Sequence, residues 1–235
     1  MVDELSGEEA AGVLLLDPDV SCALGAFGRK GTGKSHALTQ LFREYPYDRL
    51  LVDSTGDVDP DFSFTEPWPY PLLEEGWPEA EDGGRASYRL RPNRRLPTER
   101  RGNRSEPVWR WQVDDATGLV MDHGRTALFY DDAADTVPAG RILPNTDDML
   151  STLRHRHVSL FVTGPRPVGI DPRVLSQLDK VLMFDMPHEL DVRRLAVTLG
   201  LPDRELYGLI RALDEHEFVL YDSKEHHLYH CDALP

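Results

Sequence analysis

Gly28-Arg29-Lys30-Gly31-Thr32-Gly33-Lys34-Ser35 is a complete G-x-x-x-x-G-K-[ST] loop. The apolar run Cys22-Ala23-Leu24-Gly25-Ala26-Phe27 precedes it, and His36-Ala37-Leu38-Thr39-Gln40-Leu41-Phe42 follows, with Leu38, Leu41 and Phe42 at helical spacing. Strand, glycine-rich loop and helix therefore come in the order of a phosphate-binding P-loop. The glycines let the backbone curl so that successive N–H groups point inward at phosphate oxygens. The stretch from Gly28 to His36 is read as the nucleotide contact. Lys34 is expected to reach the β- and γ-phosphates of ATP and Ser35 to offer its hydroxyl to Mg²⁺, with the positive end of the following helix adding to the field.

Outward from the loop, the pattern alternates strands and helices. Arg49-Leu50-Leu51-Val52-Asp53 reads as a buried strand ending in a carboxylate, Thr126-Ala127-Leu128-Phe129-Tyr130-Asp131-Asp132 as a second, Val158 to Thr163 as a third and Val181 to Phe184 as a fourth. Val13 to Leu16 reads as a short strand before the loop, with Asp17-Pro18-Asp19 as its turn, and Ser87 to Leu90 as another. Helices are predicted within 107–122, from a cap at Asn145 or Thr146 to about His155, and near 188–199 and 203–213. Glu217 to Tyr221 and His227 to Cys231 are predicted to pair as a hairpin. Apolar strands alternating with helices indicate an α/β fold with a mostly parallel sheet covered on both faces. Ligands bind such sheets at the carboxyl ends of the strands, where Phe27, Asp53, Asp131 and Thr163 all fall.

A P-loop that hydrolyses ATP needs a carboxylate for Mg²⁺ and a group that activates water. The strand-ending Asp131-Asp132 pair supplies both chemistries: Asp131 is the expected Mg²⁺ residue, and Asp132 the residue that orients or deprotonates the attacking water. An Asp pair at a strand end also caps turns, so the reading depends on the P-loop beside it.

The run Thr152-Leu153-Arg154-His155-Arg156-His157-Val158-Ser159-Leu160-Phe161-Val162-Thr163-Gly164-Pro165-Arg166-Pro167 resembles the strand-four region of FtsK–HerA superfamily ATPases. There an Arg-His element precedes an apolar strand ending in a Thr-x-Gln-Arg-Pro-like signature. Gly169 to Leu175 and Asp179 to Phe184 are similar to the family's next helix and strand. Within that superfamily the small size resembles genome-packaging ATPases of membrane-containing viruses, and Zot-like phage morphogenesis ATPases share part of the pattern. The likeness spans roughly residues 21 to 221. It implies a RecA-like P-loop NTPase core of strand order 5-1-4-3-2, a homo-oligomeric ring (a hexamer), and ATP-driven translocation or packaging of double-stranded DNA. It also implies that an arginine at Arg154 or Arg156 enters the neighbouring subunit's site, where a guanidinium stabilises charge on the γ-phosphate. Two departures stand out. The signature Gln falls at Pro165, leaving Thr163 to replace part of its role, and the base position carries Asp132 where many relatives carry the longer Glu.

The 235 residues suit a single P-loop domain: a core over about 12–185, an irregular Pro/Arg-rich insertion over about 56–105 and a C-terminal extension over about 186–235. Trp68, Tyr70 and Trp77 are expected to pin the Pro- and Gly-rich stretch 56–84 to the body. No apolar stretch approaches the ~18 residues of a membrane span. Met1-Val2-Asp3-Glu4-Leu5 lacks the basic start of a signal peptide, and two distant cysteines give no metal spacing. The expectation is a cytoplasmic or virion-associated protein without membrane insertion, with a capsid or membrane partner if viral. A net charge of −15 argues against wholesale wrapping of nucleic acid, yet eight arginines fall between Arg85 and Arg104 with Glu99 the only acid among them. That cluster either contacts DNA phosphates in a ring pore or balances an acidic body. His226, His227, His230 and Cys231 alternate along a strand and diverge to two faces, a poor metal arrangement. Two other function classes share the P-loop: a nucleotide-gated assembly protein with little turnover, for which Pro165 argues, and a small-molecule kinase, for which no lid or substrate-acid motif is evident.

Overall fold

A computed structural model describes residues 2–14, 20–55, 66–67, 77 and 85–235 of the chain. Its elements in chain order begin with β1 (Asp3–Leu5), α1 (Gly7–Leu14), β2 (Ala23–Phe27), α2 (Lys34–Glu44), β3 (Arg49–Asp53), β4 (Glu66–Pro67) and β5 (Ser87–Leu90). They continue with β6 (Thr98–Arg101), β7 (Arg104–Pro107), α3 (Val108–His123), β8 (Ala127–Asp131), α4 (Ala133–Thr136), α5 (Pro144–Thr152) and β9 (Ser159–Gly164). The last are α6 (Pro172–Ser176), β10 (Lys180–Met183), α7 (Glu189–Leu199), α8 (Asp203–Arg211), β11 (Phe218–Asp222) and β12 (His227–Cys231).

One ten-stranded sheet runs β1-β12-β11-β10-β2-β9-β8-β3-β5-β4. Its centre, β10-β2-β9-β8-β3, is all parallel and has the order 5-1-4-3-2 when counted from the P-loop strand. The sheet then grows at both edges. β5 and β4 add in parallel beyond β3, and the antiparallel β11–β12 hairpin adds beyond β10, with β1 parallel to β12. Strand alternation divides the apolar side chains between two cores. Leu50, Leu128, Tyr130, Leu160 and Val162 face the side covered by α3, α5 and α7, while Leu51, Phe129 and Phe161 face α1 and α2. On the second side Phe129 stacks on Phe161 at 4.3 Å and takes the edge of Phe42 from α2 at 4.9 Å. This seats α2, and so the loop before it, on the middle of the sheet.

The predicted core strands, the helix over 107–122, the paired helices near 188–213 and the closing hairpin all form. The early strand does not. Val13 and Leu14 end helix α1, while Leu15, Leu16 and the turn Asp17-Pro18-Asp19 lie outside the described residues. The helical signal is a capping box: Ser6 Oγ accepts from Glu9 N at 3.3 Å, and the Glu9 carboxylate accepts from Ser6 N at 2.9 Å. Ala10 and Leu14, one turn apart, bury its face. Helix α5 also starts earlier than predicted, with Pro144 as its first residue, and ends at Thr152 rather than near His155. Neither Asn145 nor Thr146 caps it. Their backbone N–H groups instead donate to the buried Asp114 carboxylate of α3 at 3.2 and 2.9 Å, so a neighbouring helix supplies the cap. Trp68 and Tyr70 lie outside the described residues. Trp77 itself is held on the body, stacking on His123 at 5.1 Å and donating to Asp48 at 2.9 Å, while the residues around it lie outside those described.

Candidate functional site

The loop Gly28–Gly33 joins the end of β2 to the start of α2. Gly33 sits at φ 109, a conformation that disfavours any side chain, and this lets the backbone reverse into the helix. At Gly28 the constraint is proximity: a Cβ there would come within 2.6 Å of Phe184 Cβ. The following segment holds the loop's flank, because Arg29 N donates to the Asp185 carbonyl at 2.9 Å and the Arg29 side chain pairs with the Asp185 carboxylate at 2.8 Å. Arg211 of α8 reaches the same carboxylate at 3.2 Å. Inside the loop, Thr32 Oγ1 and Lys34 Nζ both donate to the Arg29 carbonyl, at 2.9 and 2.6 Å. Ser35 and His36 are exposed at the first turn of α2. Burial draws the Lys34 ammonium down to about 8, and the negative charges of Asp131 and Asp132 oppose that shift.

Those two carboxylates close the site. Asp131, at the buried end of β8, accepts one hydrogen bond on each oxygen: Thr163 donates to Oδ1 at 3.0 Å and Thr55 to Oδ2 at 2.9 Å. Burial raises its pKa, and these two hydroxyls hold it back. Asp132 N donates to Thr163 Oγ1 at 3.3 Å, so one hydroxyl at the end of β9 ties both aspartates. Asp132 is left-handed, with φ 51 and ψ 67, as the chain turns into α4. Its pKa is pushed up to about 6, by burial first and then by the charges of Asp135 and Asp131, against the pull of Arg94 and Lys34. A carboxylate in this range is suited to taking a proton near neutral pH. The donor set also fits a magnesium–nucleotide complex: each Asp131 oxygen keeps a lone pair beyond its one hydrogen bond, and the Ser35 hydroxyl is exposed beside the loop.

The structure therefore brings Gly28 to His36, Asp131, Asp132 and Thr163 together at the carboxyl ends of β2, β8 and β9. It does not bring Arg154 and Arg156 there. Both lie in the turn before β9, at the opposite end of the sheet. Arg154 pairs with Asp179 at 2.9 Å, and the other Asp179 oxygen accepts from Ala23 N, where β2 begins. The Arg156 side chain is exposed. Pro165 is exposed just past β9, and Arg166 turns from the site to pair with Asp191 of α7 at 3.1 Å.

The arginine cluster is mostly bound to the body. Arg89 and Arg91 pair with Asp53, Arg101 with Asp115, and Arg94 with Asp135. Arg85 donates to the Tyr45 carbonyl and Arg104 to the Ile142 carbonyl, while Arg95 and Arg100 remain exposed. Thr55 and Asp185 had no expected role, and Arg94, singled out only as part of the arginine cluster, proves to pair with Asp135 beside the site. Asp185 follows the apolar strand β10, so the strand-end argument that picked out Asp131 applies to it equally. Thr55 carries no such signal, and nothing in the cluster's spacing marks Arg94 as the partner of Asp135; only the folded chain sets the two beside Asp131 and Asp135. At the far edge His230 pairs with Glu217 at 3.0 Å, and among the described residues no group of three His, Cys, Asp or Glu side chains is arranged to hold a metal.

Comparison with solved structures finds the same fold in the genome-packaging NTPase B204 of Sulfolobus turreted icosahedral virus 2. Its complex with ATPγS matches with a TM-score of 0.67 at 16% identity, over 94% of this chain and 100% of that one. The AMPPCP complex of the same protein matches with a TM-score of 0.67 at 17% identity, over 93% of this chain and 100% of that one. B204 of Sulfolobus turreted icosahedral virus, a DNA-packaging ATPase, matches with a TM-score of 0.62 at 16% identity, over 94% of this chain and 100% of that one. No protein-family model and no curated protein sequence matches the chain.

Proposed function

We propose that this chain is an ATP-hydrolysing motor that packages a viral double-stranded DNA genome. The observation that carries the reading is the tie between Asp131 and Asp132 through Thr163, at strand ends that face Lys34, in a chain whose fold spans the whole length of the B204 NTPases. On this reading the P-loop backbone and Lys34 bind the β- and γ-phosphates, and Ser35 and Asp131 hold Mg²⁺. The metal supplies neutralising charge at those phosphates. Asp132 takes a proton from water, whose oxygen bonds to the γ-phosphorus as the bond from that phosphorus to the β–γ bridging oxygen breaks. ADP and phosphate leave. Thr163 keeps both carboxylates in place through this step.

Arg154 and Arg156 sit at the far end of the sheet from their own P-loop, so either meets a γ-phosphate only in another copy of the chain. Arg156 is the better trans residue because Arg154 is engaged by Asp179. A ring of copies follows from that role, with double-stranded DNA passing through it. Among the described residues no helix is long and apolar enough to cross a membrane.

The test is Mg²⁺-ATP hydrolysis at low salt, with and without double-stranded DNA, beside Lys34→Ala. Turnover that rises with DNA and vanishes in the variant is the expected result. ATP binding without DNA-stimulated turnover would overturn the motor reading. It would favour a nucleotide-gated assembly protein, the reading supported by Pro165, which offers no side-chain hydrogen bond where a polar Gln is expected.

A further inference from the structure

Two cavities flank the P-loop and meet at His216. One, of about 480 Å³, lies between Arg29, Lys30 and Thr32 on one wall and Asp214, Glu215 and Glu217 on the other. Its carboxylates repel anions, so it is a poor place for any part of a triphosphate. The other, of about 330 Å³, opens at the start of α2 and is lined by Gly33, His36, Phe184, His216, Ala233 and Leu234. No carboxylate side chain lines it, and Phe184, Ala233 and Leu234 make it largely apolar. Its volume falls in the range of small-ligand sites.

The chemistry of a bound nucleoside triphosphate selects between them. On the P-loop reading the β- and γ-phosphates occupy the loop, so the rest of the nucleotide extends from it into a neighbouring cavity. A nucleobase has flat apolar faces and a polar edge, and it binds best with an aromatic ring against one face. His216 supplies such a ring. It sits in a tight turn at φ 68, closed by Glu217 N donating to the Asp214 carbonyl at 3.3 Å and by Asp214 N donating to the Glu217 carboxylate at 2.8 Å. The side chain is about half exposed, at 49%, lies 3.6 Å from the Glu215 carboxylate and lines this cavity.

We propose that the cavity at the start of α2 seats the nucleobase of ATP, with the His216 ring packed against its face. This rests on the P-loop reading above, and the experiment separates the two. Calorimetric titration of the full chain with ATP and with inorganic tripolyphosphate, both with Mg²⁺, reads base and phosphate binding apart. His216→Gly removes the ring while suiting the left-handed backbone, so the fold is kept. It is expected to weaken ATP binding by about tenfold or more and leave tripolyphosphate unchanged, whereas His216→Phe keeps ATP within about threefold of wild type. Three results overturn the base seat: His216→Gly binding ATP as wild type does, His216→Phe losing as much as His216→Gly, or wild type binding tripolyphosphate as tightly as ATP. In each of those cases a Lys34→Ala variant that loses both probes leaves the P-loop reading standing. Wild-type protein that binds neither probe sinks that reading, and the base seat with it.

Discussion

Asp132 is the side chain on which the proposed hydrolysis rests. Its backbone is left-handed and its carboxylate is partly buried beside Asp131 and Asp135, two features that cost stability and suit a base. Because folding raises its pKa to about 6, the group is charged and able to accept a proton above that value and is neutral below it. Turnover is therefore expected to fall through pH 6 by about tenfold per unit at the acid end, measured as kcat across pH 5 to 8. Asp132→Asn should keep ATP binding while lowering kcat by about 10²-fold or more. Asn tolerates the left-handed backbone and carries no charge, so its Tm is expected to rise, by about 2–4 °C for each kcal/mol gained. A melting temperature that falls instead would show that the carboxylate is a structural partner. Lys34→Ala should abolish both binding and turnover in the same assays.

The β6–β7 hairpin is where an element carries the charge question. Thr98–Arg101 and Arg104–Pro107 pair tightly and lie against α3, with Trp111 Nε1 donating to the Glu99 carbonyl at 3.1 Å and the Arg101 guanidinium both over Trp111 at 5.0 Å and on Asp115. With the pairings of Arg85, Arg89, Arg91, Arg94 and Arg104 described above, these contacts explain most of the arginine run as scaffold. Arg95 and Arg100 are the exposed remainder. If they meet DNA phosphates, Arg95→Ala with Arg100→Ala should reduce the slope of log affinity against log salt by about 2, read by fluorescence anisotropy on duplex DNA. An unchanged slope would assign the whole run to balancing the acidic body. The α1 helix shows the limit of pattern reading at this scale. Its short apolar run suggests a strand, but the Ser6–Glu9 capping box decides for a helix. Ser6→Ala should cost about 1 kcal/mol in urea unfolding.

Separation of Lys34 from Arg156 by the full height of the sheet is a property of the whole molecule. Arg156 and Lys34 lie at opposite ends of the sheet within one chain, so cooperation between them requires another copy. Lys34→Ala and Arg156→Ala should each be inactive alone. Their equimolar mixture should regain about a quarter of wild-type turnover, because one interface in four then joins an intact P-loop to an intact arginine. A mixture that stays inactive would remove the trans role from Arg156, and the same test with Arg154→Ala would decide its neighbour.

The P-loop, the strand-ending Asp131-Asp132 pair and the central strands themselves were legible in the chain because they depend on local rules: glycine where the backbone must curl, apolar runs where both sheet faces are covered, a carboxylate where a strand ends, whereas the strand order came only from the resemblance. Those rules act over a few residues and leave a pattern that can be read. The cap of α5 by Asp114, the grip of Thr55 and Thr163 on Asp131, the anchoring of Arg29 by Asp185 and the cavity closed by His216 join segments far apart in sequence. Nothing in the spacing of such residues encodes their meeting. It is fixed only when the sheet's twist and the burial of its two faces bring the ends of β3, β8, β9 and β10 to one edge.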